Sequence, residues 1–236
     1  MRLLYCLLLV AATTQLYAQN HPWTFGAQLQ ANFSFLTYQN PTNPNYETRV
    51  RDQYYPRFAP GGIFTTGYRL TTRVSLQIGL GVWLSGARIK EQDLIITTPD
   101  LPEGMLKGTF EGKLHYLDLL VPVSIKANPI SGNHRFYLIA GFSGLYNLSR
   151  KQTIIFHFLD GTNEKVQEEI SEQYRSIPKL NLRSDLGFGY TFPIGQKMQW
   201  FLEPMVGYQV FPIIKEGNAK WGQYFLGINL GMTLER

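Results

Sequence analysis

The sequence predicts an all-β protein, an eight-stranded antiparallel transmembrane β-barrel arranged as an up-and-down meander. Three observations predict it: an aromatic-rich composition, apolar residues that recur with a period of two, and connections that alternate between long and short. The 236 residues include 15 Phe, 14 Tyr and 4 Trp, and only 17% are charged, a composition that favours strands. The mean hydropathy of −0.15 argues against a helical membrane protein, because each spanning helix needs roughly 20 apolar residues.

The N-terminus has the three-part pattern of a secretory signal peptide. Residues 1–18 contain one charge, at Arg2, then an apolar centre at 3–12 and a small-residue exit at Ala18. We therefore expect a signal peptide over 1–18 and the barrel domain over 19–236; the alternative is a buried first strand or helix. Cys6, the one cysteine of the chain, lies inside this segment, so the mature chain would have no disulfide.

Four segments alternate strictly between apolar and polar residues, as strands with two different faces do. In the first, from 23 to 35, the odd positions are apolar and the even ones from Gly26 to Ser34 are polar or glycine. The same alternation predicts the third, sixth and eighth strands at 73–85, 180–192 and 223–234.

Four less regular segments complete the set, at 57–70, 113–127, 134–148 and 198–211. Two of them contain a proline, Pro122 in the fourth strand and Pro204 in the seventh. Since proline lacks the backbone N–H that a sheet ladder needs, we expect a bulge or a broken pair at both.

The predicted connections differ systematically in length. Long connections are expected at 38–56, 86–112 and 149–178, and short ones with turn-forming residues at 71–72, 128–133 and 195–196. The last, at 215–219, is intermediate. Long loops on one rim and short turns on the other are typical of outer-membrane barrels. The pattern therefore predicts a location in the outer membrane.

The alternation also predicts which face meets lipid. We expect the apolar face to point outward and the amide, hydroxyl and glycine face to point into the lumen, with aromatic rings at both membrane interfaces. The alternative is a soluble barrel in which the same rings form the core. The predicted aromatic girdle consists of Trp23, Tyr68, Trp83, Phe136, Phe192, Trp200, Tyr208 and Tyr224.

Five charged residues fall on the predicted lumen face: Arg57, Lys126, Arg183, Asp185 and Glu203. An eight-stranded barrel is narrow and filled by side chains, and buried charges must be paired. We therefore predict an ion-pair network in the lumen. The alternative is a small pore or a ligand site in the same place.

One segment resembles a known family. The stretch from Tyr116 to Lys126 reads YLDLLVPVSIK and, with the signal peptide and the early alternating strand, resembles the PorT-like outer-membrane β-barrel family. That family has a Tyr-Leu-acidic-aliphatic-Pro stretch running into an aliphatic strand that ends in Lys; here the acidic residue and the proline are one residue further apart. The chain also ends without the C-terminal aromatic residue of many barrels. The resemblance implies a membrane barrel, and one branch of the family is implicated in protein secretion and gliding.

The sequence predicts neither catalysis nor a cofactor. The histidines, at 21, 115, 134 and 157, are scattered without metal-ligand spacing, and no metal site is expected. His115 and Ser124 lie on opposite faces of one strand and cannot form a catalytic pair alone. The net charge of +5 comes without a run of Lys or Arg, so nucleic-acid binding is not expected.

These observations predict an integral outer-membrane protein with a structural, assembly or loop-mediated binding role. The expected partners are outer-membrane lipid and lipopolysaccharide, the barrel-assembly machinery, and a protein bound through the outer loops. The acidic segment 160–174 is expected to form either a strand-extending hairpin or a short helix. The alternatives are a component of protein secretion, an exported lipocalin-like carrier or a lipid-modifying enzyme.

Overall fold

The protein folds as one closed antiparallel sheet. The computed structural model describes residues 23–39, 53–98, 101–130, 135–170, 178–194, 197–216 and 219–235. The predicted signal peptide lies outside these residues. The strands are β1 (Trp23–Gln39), β2 (Tyr54–Tyr55), β3 (Arg57–Arg69), β4 (Val74–Thr98), β5 (Leu101–Ala127), β6 (Phe136–Phe158), β7 (Asn163–Glu169), β8 (Leu180–Ile194), β9 (Met198–Gln209), β10 (Ile214–Glu216) and β11 (Ala219–Glu235).

Eight of these strands form the barrel. Their order around the ring is β1-β3-β4-β5-β6-β8-β9-β11, and β11 pairs with β1 to close it, for example with Leu29 opposite Leu230. Each ring strand overlaps one of the eight predicted segments, so the eight-stranded meander is confirmed. Closure leaves the membrane-spanning part of the sheet without an edge, which is the condition for β-structure in hydrocarbon. Among the described residues there is no helix that is long and apolar enough to cross a membrane.

The barrel is apolar outside and polar inside. On β1, Leu29 is 69% exposed and Phe33 is 49% exposed, whereas Gln28, Gln30 and Asn32 are buried. A soluble barrel shows the opposite arrangement. An apolar wall of this size would not be stable in water, and it matches the lipid-facing band of outer-membrane barrels.

The two prolines interrupt pairing without shifting it. Between β4 and β5 the ladder stops after Ile78–Val123 and resumes in the same register at Gly81–Leu120, so the gap falls at Pro122. Between β8 and β9 it stops after Gly187–Met205 and resumes at Tyr190–Leu202, a gap that contains Pro204. The expected broken pairs are present. Each proline lies beside a strand to which it has no N–H to donate.

Three strands are much longer than a membrane requires. β4, β5 and β6 have 25, 27 and 23 residues, whereas crossing the hydrocarbon takes about 9–11. The prediction of loops over 86–112 and from 149 onward is therefore wrong. These segments keep their cross-strand partners and continue the barrel wall outward as two hairpins, β4–β5 and β6–β7.

The wall changes direction where the barrel becomes this outer sheet. Between β5 and β6 the register shifts after Leu117–Ser149 to Asp118–Asn147, leaving Leu148 as an extra residue. On β4, Gly86 has a φ of 139°, and a Cβ there would overlap the Leu114 carbonyl oxygen. A bulge and a glycine are the usual means of bending a sheet.

The acidic segment after 160 forms a hairpin, which is one of its two predicted conformations. The turn is closed by Asp160, whose carboxylate accepts hydrogen bonds from the Thr162 backbone N–H at 2.8 Å and hydroxyl at 2.6 Å. β7 then pairs with β6 from Asn163–His157 to Glu169–Lys151.

Leu29→Arg tests the lipid-facing wall at mid-membrane. We expect a loss of about 2–4 kcal/mol in the free energy of unfolding, since an arginine would face hydrocarbon. Urea unfolding in lipid vesicles measures it.

Leu159→Arg is the matched control, because Leu159 is 70% exposed but lies at the tip of the β6–β7 hairpin, outside the membrane. An unchanged unfolding free energy for Leu29→Arg would contradict the orientation of the wall.

Candidate functional site

The lumen contains a buried ion pair toward the end where the β3–β4 turn lies. Lys126 Nζ is 2.5 Å from Glu203 Oε1, and Glu203 is 2% exposed. The same carboxylate accepts hydrogen bonds from Tyr137 Oη at 2.8 Å and Asn229 Nδ2 at 3.4 Å. The ammonium also lies 5.0 Å from the Tyr137 ring centroid and 4.8 Å from that of Phe201. Rings and hydrogen bonds thus replace the water that both charges lost.

A second ion pair lies nearer the middle of the lumen. Arg183 Nε is 2.7 Å from Asp185 Oδ1, and Ser143 Oγ donates to Asp185 Oδ2 at 2.6 Å. The guanidinium lies 4.9 Å from the Trp83 ring centroid and 5.6 Å from that of Phe225. This pair is therefore packed directly against an apolar layer.

That layer fills the cross-section of the barrel. Trp83 and Phe225 meet edge to face at 4.3 Å, and both are almost completely buried. We call this set of residues the apolar plug: Ala59, Ile63, Trp83, Leu120, Leu145 and Phe225. Beyond it toward the outside, a second cluster contains Ala87, Leu114, Tyr116 and Ile213.

Arg57 is separate from the two ion pairs. Its guanidinium donates to the carbonyl oxygens of Leu114 and, at 3.4 Å, Ser85, and lies 2.6 Å from His115 Nδ1. Because a guanidinium can only donate, His115 Nδ1 is the acceptor. No described carboxylate lies within ion-pair distance of Arg57, so its predicted place in the ion-pair network is corrected. Its backbone lies opposite the buried Ser34, but its half-buried guanidinium reaches the β4–β5 wall at His115 rather than the centre of the lumen.

The predicted girdle residues lie on the outer wall, with one exception. At one rim Trp23 packs edge to face on Tyr68 at 4.9 Å, and Phe192 pairs with Trp200 in register. At the other, Tyr208 is opposite Tyr224, which stacks on Phe35 at 4.7 Å. Phe136 is half-buried and is paired with Tyr190.

Trp83 is the exception, and its assignment to the girdle is corrected. It is 0% exposed and belongs to the apolar plug. The physical reason is its phase on β4: Val82 and Leu84 point to lipid, so the residue between them points inward. The alternation along β4 by itself predicts that Trp83 points inward. The girdle assignment followed instead from the fact that Trp is a residue typical of membrane interfaces.

Free volume in the lumen is concentrated at one end. A cavity of about 450 Å³ opens beside the β3–β4 turn and ends at Lys126, Tyr137 and Phe201. Small hydroxyl residues leave this space open: Thr24, Ser75, Thr191 and Thr233. Deeper in the barrel the voids measure only about 40 and 20 Å³. The plug therefore separates the cavity from the outer end.

The outer sheet is polar and charged on the side that continues the lipid-facing wall. Arg88 Nη2 lies 2.9 Å from Glu111 Oε2, and Thr109 Oγ1 donates to Glu91 Oε1 at 2.5 Å. The hydrogen bond from Arg88, with the charges of Arg88 and nearby Lys113, holds the pKa of Glu111 below its ordinary value. β7 forms the edge of this sheet and carries Glu164, Glu168 and Glu169.

Sequence reasoning missed the residues that support the ion pairs. Three such residues lie on the lumen face: Tyr137, Ser143 and Asn229. Each bonds to a carboxylate on a different strand, and spacing along the sequence does not show which strand that is. Within the described residues there is no group of three or more His, Cys, Asp or Glu side chains placed to hold a metal ion.

Comparison with known proteins adds a family assignment. A family model described as "Outer membrane protein beta-barrel domain" matches residues 17–222. No curated protein matches the chain.

Three solved structures of outer-membrane proteins align with most of the chain. The attachment invasion locus protein Ail of Yersinia pestis is 10% identical, with 88% of this chain and 97% of that chain covered and a TM-score of 0.38. Neisserial surface protein A is 9% identical, with 91% and 97% covered and a TM-score of 0.39. The Escherichia coli outer membrane protease OmpT is 7% identical, with 91% and 93% covered and a TM-score of 0.40.

Lys126→Met tests the first ion pair. We expect a loss of about 3–5 kcal/mol in the free energy of unfolding, because Glu203 would be buried without its cation. Adding Glu203→Gln should recover part of the loss, since the amide keeps partners in Tyr137 and Asn229 without a charge.

Arg88→Gln is the control for that experiment. It removes a largely exposed ion pair, and we expect a change below about 1 kcal/mol. Equal losses for Lys126→Met and Arg88→Gln in vesicle unfolding would contradict the assignment of a buried pair.

The lowered pKa of Glu111 predicts the pH range in which its pair acts. The pair contributes fully above the ordinary value of 4.5 and is lost as pH falls through the lowered value. A carboxyl carbon chemical-shift titration measures this, and in Arg88→Gln the midpoint should rise. A midpoint that does not move would show that Arg88 is not the cause.

Proposed function

Because the chain belongs to the outer membrane protein beta-barrel domain family, we propose that it is a non-catalytic outer-membrane protein that binds a protein partner through its outer sheet. One observation carries the proposal: three wall strands continue far beyond the membrane as paired strands, while the lumen below them is closed by side chains. The chain is thus an outer-membrane barrel whose elaborated part faces outward.

The filled lumen favours binding over transport. The apolar plug spans the barrel, and the two voids beyond the open cavity hold about 40 and 20 Å³. The smaller of these has room for roughly one water molecule. A solute would have to displace Trp83, Phe225 and the Arg183–Asp185 pair to pass.

The edge of the outer sheet offers a surface for a partner. β7 is a seven-residue strand that pairs with β6 on one side, and almost all of its residues are exposed. A strand edge presents backbone donors and acceptors that an extended segment can pair with. The glutamates along β7 favour a partner segment that carries Lys or Arg.

Within the family, we place the chain among the PorT-like barrels and propose insertion by the barrel-assembly machinery. The stretch from Tyr116 to Lys126 supports the placement, and its residues have defined roles. Asp118 points into the lumen and accepts a hydrogen bond from Asn147 Nδ2 at 2.8 Å. Pro122 lies at the gap in the β4–β5 ladder. Secretion is the second candidate role, because the resemblance includes a branch implicated in it.

A deletion strain separates the candidate roles. For a binding role we expect unchanged lipid A mass spectra and an unchanged set of secreted proteins. Altered lipid A acylation would indicate a lipid-modifying enzyme, and altered secretion would indicate the secretion role. Any surface phenotype of the deletion should be restored by the wild type and not by a variant whose β6–β7 hairpin is shortened.

Planar-bilayer recording tests the closed lumen. We expect no stable conductance from the wild-type protein, because the apolar plug blocks the axis. Reproducible single-channel steps in the wild type, absent from refolded preparations of an unrelated closed barrel, would contradict a role limited to binding.

A further inference from the structure

Four basic side chains form a patch on the outer wall directly above the lipid-facing band. The patch consists of Arg88 on β4, Lys113 and His115 on β5, and Lys151 on β6. Arg88 is directly opposite Lys113, and His115 is directly opposite Lys151. All four continue the outward phase of their strands, which below them carries Leu84 and Leu148 on β4 and β6.

The positive charge of the patch is only partly balanced. Arg88 and Lys113 are like charges directly opposite each other, an arrangement that destabilises a sheet. Arg88 is balanced by Glu111 at 2.9 Å. Within the described residues, neither Lys113 nor Lys151 forms an ion pair, although Glu169 is the register neighbour of Lys151. Two ammonium groups without an ion pair thus lie diagonally on neighbouring strands, Lys113 opposite Thr153 and Lys151 opposite His115.

His115 adds a neutral donor to the patch. Its Nδ1 lies 2.6 Å from Arg57 Nη2, which can only donate. The ring proton is therefore on Nε2, where it can donate to a further acceptor.

The lower row of the patch lies at the depth of a lipid headgroup. Leu84, opposite Leu117, belongs to the last apolar row, and it is 43% exposed. The His115 row lies two residues further out and the Lys113 row four, which at about 3.3 Å per residue and a tilt of about 40° is roughly 5 and 10 Å. The headgroup layer is about 5–7 Å thick on each side of the hydrocarbon, so the His115–Lys151 row lies within it and the Arg88–Lys113 row lies just beyond it.

We propose that this patch is a binding site for a phosphorylated lipid headgroup of the outer leaflet, whose acyl chains lie along the wall formed by Leu84 and Leu148. Phosphate oxygens accept from Lys113, Lys151 and His115 Nε2, and Arg88 contributes charge from its pair with Glu111. An anion at this position is a headgroup because the apolar wall begins one row below. The site rests on the membrane placement of the barrel and is independent of the proposed protein partner.

Native mass spectrometry of the detergent-folded mature protein, titrated with diphosphoryl lipid A, tests the site. Lys113→Gln with Lys151→Gln should weaken binding about thirtyfold, roughly fivefold for each lysine. Lys113→Arg with Lys151→Arg should retain the affinity. If the double glutamine variant loses heat-modifiable mobility and so fails to fold, the single variants should each show the fivefold loss.

Three controls distinguish recognition of the headgroup from a general effect of positive charge. Lys107→Gln with Lys197→Gln makes the same charge change away from the patch, farther out on β5 and at the β8–β9 turn, and should leave binding unchanged. Lipid A without phosphates should bind as weakly as diphosphoryl lipid A binds the double glutamine variant, and inorganic phosphate should not compete. The proposal is overturned by an unchanged affinity of the glutamine variant, by an equal loss in the control, by equal binding of phosphate-free lipid, or by competition from inorganic phosphate.

Discussion

In hydrocarbon no backbone N–H or C=O can be left unpaired, and the architecture of the barrel is a response to that requirement. The pairing of β1 with β11 meets it by removing both edges of the eight-stranded sheet. Closure then gives every ring strand a lipid side and a lumen side. The alternation of residues such as Leu29 and Gln30 follows from that division. The two prolines preserve this alternation, since each breaks the pairing locally without shifting the register.

A barrel of only eight strands has a lumen so narrow that side chains fill it. Large rings occupy its centre, and the charged groups there are paired. Lys126 pairs with Glu203 on another strand, and Arg183 pairs with Asp185 on its own strand. The two ion pairs differ in surroundings: Lys126–Glu203 borders the open cavity, whereas Arg183–Asp185 is packed against Trp83 and Phe225. The taper from small hydroxyl residues at one end to rings at the centre gives the barrel an open end and a closed middle.

Outside the membrane the same strands face water instead of lipid. Past Leu84 and Leu148 the outward phase changes from aliphatic to charged residues within three or four positions, while hydrogen bonding along β4, β5 and β6 continues. The bulge at Leu148 and the positive φ of Gly86 mark this transition. A continuous paired sheet carries the β7 edge and the basic patch, and so fixes their height above the membrane.

The strand count, the two faces and the membrane location could all be predicted from sequence, because a period of two is a local property that needs no knowledge of contacts. Phase alone also placed Lys126, Glu203, Arg183 and Asp185 in the lumen. The folded barrel was needed to establish which of these charges pair, that Arg57 meets carbonyl oxygens, and that the segments after Gly86 and Ser149 are strands. Apart from Arg183–Asp185, which are two positions apart on β8, those outcomes depend on register and on distances across the barrel, which neighbours in sequence do not specify. Trp83 combines what the sequence determines with what only the fold decides. Its position in the alternation points it inward, and only the packed lumen shows that a ring of that size fits there.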